Sequence, residues 1–214
     1  MDVDTDSYRD VKDIIFLNKS KTAWISINYL PQEIIKYASE NYSKLFDLHP
    51  IHRHRVAHRK YLDENNDTYI DTDSICSRYQ SSYGKTPKRN PKLSLSYMYS
   101  GVDDSLINDD IPIEFKPFYD YIYSIDSQYN QCIVNWYNDG KDFIPHHSDC
   151  TIGMIPDPKV SIISLYPNDD TYRTLSIKPK KRYGEYLDKD YNYDKININM
   201  KQGSIITMGG SSMH

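Results

Sequence analysis

Apolar residues in this chain recur with two periods, and the change of period separates helical segments from short strands. Apolar and polar residues alternate over residues 13–17 and 24–28, which predicts two strands near the start of the chain. Pro31 then opens a predicted helix that runs to about Asp47, because proline is favoured in the first helical turn. The apolar positions of this helix form one face for packing on a sheet: Ile34, Ile35, Ala38, Tyr42, Leu45 and Phe46.

The second half of the chain carries the signals of several more strands. A second helix is predicted to begin between Pro112 and Pro117 and to end near Asp126. A strand over 131–137, a turn at an Asn-Asp-Gly sequence and another strand through 141–149 follow it. Other strands are predicted at 93–100, 160–166, 172–177, 196–200 and 204–208. A loop is predicted at 63–73, and a surface hairpin or a partly disordered insertion at 178–194. The pattern alone indicates an all-β or α+β fold.

The end of the segment 131–149 holds a candidate metal site. Residues two apart on a strand share a face, so His147 and Asp149 are predicted to point the same way, as are Asn135 and Tyr137. One imidazole and one carboxylate supply two of the three ligands that non-haem iron oxygenases use. A bare His-x-Asp sequence also occurs at polar strand ends where the histidine only bonds a neighbour, so its context decides the interpretation.

That context is a series of four segments in a fixed order. Asn-x-Tyr precedes His-x-Asp within residues 135–149. Residues 77–84 (SRYQSSYG) resemble an Arg-x-Gln-x-x-Tyr-Gly segment, 97–101 (YMYSG) a Tyr-x-Tyr/Phe-Ser-Gly strand, and 203–210 (GSIITMGG) a strand that ends on a glycine pair. Together these segments resemble the AlkB family of Fe(II)- and 2-oxoglutarate-dependent dioxygenases over roughly residues 75–214.

The resemblance implies a fold. It is α+β, mainly β: a double-stranded β-helix (jelly roll) with an N-terminal helical layer and a nucleotide-recognition lid. One domain would then cover residues 1–214. About 1–74 would be an N-terminal extension, 75–102 the lid, and 128–214 the jelly-roll core without its last strand.

The resemblance also implies a function, the oxidative demethylation of N-alkylated bases in DNA or RNA. His147 and Asp149 would be metal ligands and catalytic residues for Fe(II), and Asn135 and Tyr137 would orient 2-oxoglutarate. The damaged base, which has to leave the stack to reach the metal, would be held by four side chains: Arg78, Gln80, Tyr83 and Tyr97. The first three of these suit a structural role in the lid equally well.

The end of the sequence departs from the family pattern. The third metal ligand is expected several residues beyond the Gly209-Gly210 pair, whereas His214 follows it closely. The closing strand, with the arginines that bind the far carboxylate of 2-oxoglutarate, is missing. We therefore expect a truncated protein in which His214 is at best an improvised ligand and strand 204–208 presents an uncovered edge. Two alternatives remain: a same-fold hydroxylase of protein or a small molecule, and a truncated, inactive nucleic-acid-binding module.

Composition adds limits to this interpretation. With 214 residues and 25.2 kDa the chain suits one domain, predicted to be a monomer. No apolar run approaches the length of a membrane span, so no membrane partner is predicted. The cysteines Cys76, Cys132 and Cys150 have unrelated spacings, which favours a reducing intracellular setting, cytoplasmic or nuclear.

The net charge of −4 conceals a segregated charge pattern. Basic residues cluster without interleaved acids at 53–60, 78–92 and 173–182, and basic segments beside the motifs suit a nucleic-acid partner. Each segment taken alone is more typical of a solvated loop. Residues 49–58 contain four of the 7 histidines but no cysteine at zinc spacing, so we interpret them as a basic surface segment.

Overall fold

The computed structural model describes residues 2–4, 13–53, 55–56, 60–62, 68–70, 74–84, 107–108, 110–149, 154–168, 170–179, 181–182, 185–186, 191 and 195–210. The helices in this part are α1 (Gln32–Glu40), α2 (Tyr42–Asp47) and α3 (Lys116–Ile125). The strands are β1 (Asp2–Asp4), β2 (Asp13–Phe16), β3 (Ala23–Tyr29), β4 (Arg55–Val56), β5 (Lys60–Leu62), β6 (Thr68–Ile70), β7 (Ser74–Ile75), β8 (Tyr79–Gly84), β9 (Ile107–Asn108), β10 (Gln131–Trp136), β11 (Lys159–Ile163), β12 (Arg173–Ile177), β13 (Lys181–Arg182), β14 (Glu185–Tyr186), β15 (Ile196–Met200) and β16 (Ser204–Gly210).

The described strands pair mainly in antiparallel fashion. The β1–β15 and β8–β9 pairs are parallel. Antiparallel pairing joins the neighbours in the four-stranded sheet β11-β16-β3-β2, and also β10 with β8 and β12 with β15. With short helices among these strands, the predicted α+β, mainly β class is confirmed. The chain divides into two compact units: Met1–Ser43 with His146–His214, and Lys44–Pro145.

The first unit contains two sheets that share one apolar cluster. The sheet β11-β16-β3-β2 contributes Ile25, Ile27 and Ile206 to it, and the sheet β1-β15-β12 contributes Ile196 and Ile198. Alternate residues of β3 are buried and their neighbours are more exposed, as expected of a strand with one face on a core. On the other face of β15, polar pairs cross to β12, including a hydrogen bond from Ser176 Oγ to Asn197 Oδ1 of 2.7 Å.

The position of β16 corrects one expectation. Strand 204–208 was expected to lie at an open edge, but β16 lies between β11 and β3; it pairs with β3 over its whole length and with β11 over residues 205–209. Ile205 and Ile206 are buried on opposite faces of the sheet, so both faces of this strand are covered. An apolar run without alternation is typical of such a central strand.

The helix predicted from Pro31 to about Asp47 forms as two helices. Pro31 precedes the first turn of α1, as predicted. The helix ends at Asn41, whose backbone N–H and side-chain Nδ2 both donate to Tyr37 O at 3.1 Å and 2.9 Å, and α2 follows. Near the end of α1, Ser39 Oγ accepts a hydrogen bond of 3.2 Å from the buried Gln202 side chain, which ties α1 to the turn before β16.

The second unit is built around the β10–β8 pair. The edge-on contact of Trp136 with Phe115, at 5.9 Å between ring centroids, joins β10 to the turn that begins α3. Trp136 Nε1 donates to Leu45 O at 2.8 Å, so the buried indole has its one donor satisfied. This unit also contains the short antiparallel pairs β4–β7 and β5–β6.

Two local predictions were wrong. The predicted strand through 141–149 does not form; this segment is irregular. Pro145 removes a backbone donor there, and turn-forming aspartates precede it. The predicted loop 63–73 contains β6, which pairs with β5. Strand 93–100, Tyr97, residues 85–92 and His214 lie outside the described residues. No helix in the described part of the chain has the length and apolarity needed to span a membrane.

Candidate functional site

The segment between β10 and the predicted metal ligands is irregular but held by aspartate side chains. The buried Asp142 Oδ2 accepts hydrogen bonds from the Asn138 backbone N–H at 2.8 Å and from Arg53 Nη2 at 2.9 Å. Asp139 Oδ1 accepts from the Lys141 N–H at 2.7 Å. These bonds replace the strand pairing that the segment lacks, as carboxylates in turns commonly do.

The predicted metal ligands His147 and Asp149 lie close together in the first unit. His147 Nε2 is 3.4 Å from Asp149 Oδ1, and the two side chains are 44% and 19% exposed. The two side chains therefore lie close together, as strand alternation predicted, although the backbone that carries them is irregular and not a strand. An imidazole nitrogen and a carboxylate oxygen are the donor types that iron uses in such sites.

A third ligand is not found within the described ranges. Among those residues, no group of three or more His, Cys, Asp or Glu side chains is arranged to hold a metal ion. His214, the predicted third ligand, lies outside them. His147 and Asp149 supply two of the three donor groups that the facial arrangement uses, and a metal site here stays a prediction.

Three of the predicted cofactor- and substrate-binding residues meet in the second unit. Arg78 is only 2% exposed and Gln80 only 3%. Arg78 Nε donates to Asn135 Oδ1 at 2.6 Å, Nη2 donates to Gln80 Oε1 at 3.0 Å, and Nη1 donates to Cys76 Sγ at 3.3 Å. We refer to Cys76, Arg78, Gln80 and Asn135 as the Arg78 cluster.

Strand register explains which residues join this cluster. Gln80 and Asn135 are direct partners in the β8–β10 ladder, and Arg78 lies two residues before Gln80, so all three fall on one side of the sheet. Tyr83 lies three residues after Gln80, so its side chain is on the other side of the sheet. Its ladder partner is Cys132, and Tyr83 is buried. Burial raises the pKa of Tyr83, which keeps its phenol neutral. The structure therefore separates Tyr83 from Arg78 and Gln80.

A further assembly was not foreseen from the sequence. The ring of Tyr79 stacks on His49 at 4.3 Å between centroids and has the Arg53 guanidinium 4.8 Å from its centre. Arg53 also pairs with Asp142, which links this stack to the segment after β10. The sequence carried a local signal only for Asp142, as an aspartate in a turn. Its pairing with Arg53 joins distant parts of the second unit, so no short stretch of sequence could indicate it.

Comparisons with known proteins add no family assignment. A comparison with protein-family models finds no matching family, and a comparison with curated proteins finds no match.

Proposed function

We propose that this protein is an Fe(II)- and 2-oxoglutarate-dependent dioxygenase that oxidatively demethylates N-alkylated bases in nucleic acid. The observation that carries the proposal is the approach of His147 Nε2 to Asp149 Oδ1 at 3.4 Å, in a chain whose motifs have the order of the AlkB family. The motif order was read from sequence, and the approach of the two side chains is an independent geometric support for it.

Each residue has an assigned role in this proposal. His147 and Asp149 hold the iron, with His214 as a candidate third ligand. Asn135 and Tyr137 bind and orient 2-oxoglutarate. When bound, iron and 2-oxoglutarate supply the oxidising chemistry that removes the methyl group, while the chain supplies ligands, orientation and a site protected from water.

The proposal extends to fold and cellular setting. The two sheets of the first unit, which share one apolar cluster, are proposed to be the core of a double-stranded β-helix. Cys76 and Cys132 are free thiols, which suits the proposed intracellular location. A monomer acting on DNA or RNA is the proposed working form.

The test compares three variants with the wild type. His147→Ala and Asp149→Ala should each abolish succinate release from 2-oxoglutarate with a methylated oligonucleotide and Fe(II), because the two ligands that remain of the proposed three hold iron poorly. Ser148→Ala, between them and exposed, is the matched control and should retain wild-type turnover. Wild-type rates in either ligand variant would contradict the metal assignment.

The burial of Arg78 and Gln80 favours a second candidate substrate class. These side chains were predicted to hold the damaged base, but they are closed off from solvent and bonded to one another. A same-fold hydroxylase of protein or of a small molecule would not need them as base contacts. Succinate release that a methylated oligonucleotide does not stimulate would favour this candidate.

A further inference from the structure

The Arg78 cluster has a feature that the proposed function does not use. Arg78 is 2% exposed, and its guanidinium directs three N–H groups at three different acceptors of the second unit. A planar guanidinium bonded in this way has one orientation, because rotation would break several bonds together. Arg78 is thus a fixed part of the β8–β10 sheet and is not placed to contact a substrate.

The strongest of these bonds sets the direction of the Asn135 amide. Nε of Arg78 donates to Asn135 Oδ1 at 2.6 Å. The reversed amide would place the NH2 group against an N–H donor, with no acceptor between them, so one orientation is favoured. The Asn135 Nδ2 group then points away from Arg78, and within the described residues it has no hydrogen-bond acceptor. Asn135 itself is only partly buried, and we take its Nδ2 group as the donor offered to a ligand.

We infer that Arg78 is a positioning residue for the binding of 2-oxoglutarate: it fixes the Asn135 amide so that Nδ2 is presented as a donor to a carboxylate of the cosubstrate. A carboxylate accepts hydrogen bonds and cannot donate them, so it would be repelled by the Oδ1 of a reversed amide. Preorganising the donor removes the free-energy cost of ordering it at the moment of binding. This inference rests on the proposed function, which assigns Asn135 to 2-oxoglutarate.

The test is a double-mutant cycle between Arg78 and Asn135. Arg78→Met retains an apolar side chain of similar length and removes all three hydrogen bonds. It should raise the KM for 2-oxoglutarate about tenfold, the effect of one well-oriented hydrogen bond, with little change in kcat or in the KM for oligonucleotide. In the Asn135→Ala background the same substitution should add no further change, because its effect passes through Asn135.

Two further measurements make the cycle decisive. Arg78→Lys retains the charge but cannot form the fork of three bonds, so it should resemble Arg78→Met and not the wild type. Ser82→Ala, on the same side of β8 and bonded by Gln131 Nε2 at 2.9 Å, is the matched control and should leave the KM for 2-oxoglutarate unchanged.

A readout without turnover comes from the side-chain amide signals of Asn135 in NMR spectra, identified by their loss in Asn135→Ala. In the wild type these signals should shift when 2-oxoglutarate is added, and in Arg78→Met they should move in the free protein and shift less with 2-oxoglutarate.

An unaltered Asn135 signal in Arg78→Met, or additive effects in the cycle, would overturn the inference and leave the proposed function intact. A rise in the KM for oligonucleotide alone would overturn it too, in favour of direct base contact. A wild-type protein that neither binds nor turns over 2-oxoglutarate would overturn the proposed function and, with it, this inference.

Discussion

The two glycines that end β16 are required by what lies against them. A Cβ atom on Gly209 would overlap the indole ring of Trp24, and one on Gly210 would overlap the backbone oxygen of Thr22. Gly210 also has a φ of +63°, which side-chain-bearing residues rarely adopt. The glycine pair that first suggested a family motif therefore has a local structural reason, which applies whatever the protein does.

Gly210→Ala should lower the free energy of unfolding by about 2–4 kcal/mol, because it combines a strained backbone with a collision against backbone that cannot rotate away. Gly140→Ala is the control, since nothing lies within 4 Å of its added Cβ, and it should change stability by no more than about 0.5 kcal/mol. Urea denaturation of both variants checks the difference. Equal stability of the two would show that the β3–β16 contact is looser than the structure indicates.

Cys132, inside the β8–β10 pair, should be a poor nucleophile. Burial raises the pKa of its thiol from 9.0 to about 11. At pH 8 only about one thiol in a thousand would then be ionised, and the thiolate is the reactive form. Labelling by iodoacetamide, followed at this site by mass spectrometry, should be slow in the folded protein and fast in urea. Rapid labelling of the folded protein at pH 8 would contradict the raised pKa of this thiol.

The same shift gives a pH dependence with a defined sign. The unfolded thiol ionises near its ordinary value of 9.0, while the folded thiol keeps its proton until about pH 11. The unfolded state therefore loses the proton first, and stability falls as pH rises between these values. Cys132→Ser, compared with the wild type across this range, should remove that part of the dependence.

At the scale of elements, local sequence signals placed most boundaries well. Strand 196–200 was predicted at its observed bounds, and Pro31 correctly marked the start of α1. These elements have strong periodicity or a residue with a fixed backbone angle, so local chemistry decides them. The strand predicted over 141–149 was wrong because Pro145 interrupts its alternation and because the Asp142 side chain bonds the backbone of its own turn.

The irregular segment after β10 should depend on Asp142. Asp142→Ala removes the acceptor for the Asn138 N–H and leaves the Arg53 guanidinium without this carboxylate, so stability should fall by about 2–3 kcal/mol. Asp139→Ala, which loses the exposed bond to the Lys141 N–H, should cost no more than about 1 kcal/mol. Thermal unfolding of both variants measures the difference, and a similar cost for the two would refute the bracing role of Asp142.

For the molecule as a whole, charge decides how a nucleic acid could bind. The net charge of −4 opposes general attraction to a polyanion, so binding has to come from local basic segments. If Lys85, Lys88, Arg89 and Lys92 contact phosphates, replacing all four by alanine should reduce the slope of log Kd against log salt by about 3–4. The control replaces Lys19, Lys36, Lys44 and Lys116, which changes net charge equally. An equal effect of the two sets would show that only overall charge matters.

Local sequence signals could not predict the pairings between distant parts of the chain. The sequence identified β16 as a strand but not its place between β11 and β3, because strand order depends on contacts that no short window contains. Likewise, His147 and Asp149 were identified as a pair by their spacing, whereas the bonds from Arg78 to Asn135 and from Arg53 to Asp142 emerged only with the fold. The spacing of two residues can be read from a short stretch of sequence, whereas contacts between different strands depend on how the strands pair.

The place of β16 has a consequence for the order in which the protein matures on the ribosome. β2 and β3 are synthesised early and can pair at once as a local hairpin, but the other edge of β3 is the partner of β16. The long stretch of chain between β3 and β16 has to be translated before that partner exists, and Ile206 of the apolar cluster arrives with it. While that stretch is being synthesised, the hairpin has one row of backbone groups unpaired, the condition in which nascent strands aggregate and in which chaperones bind them.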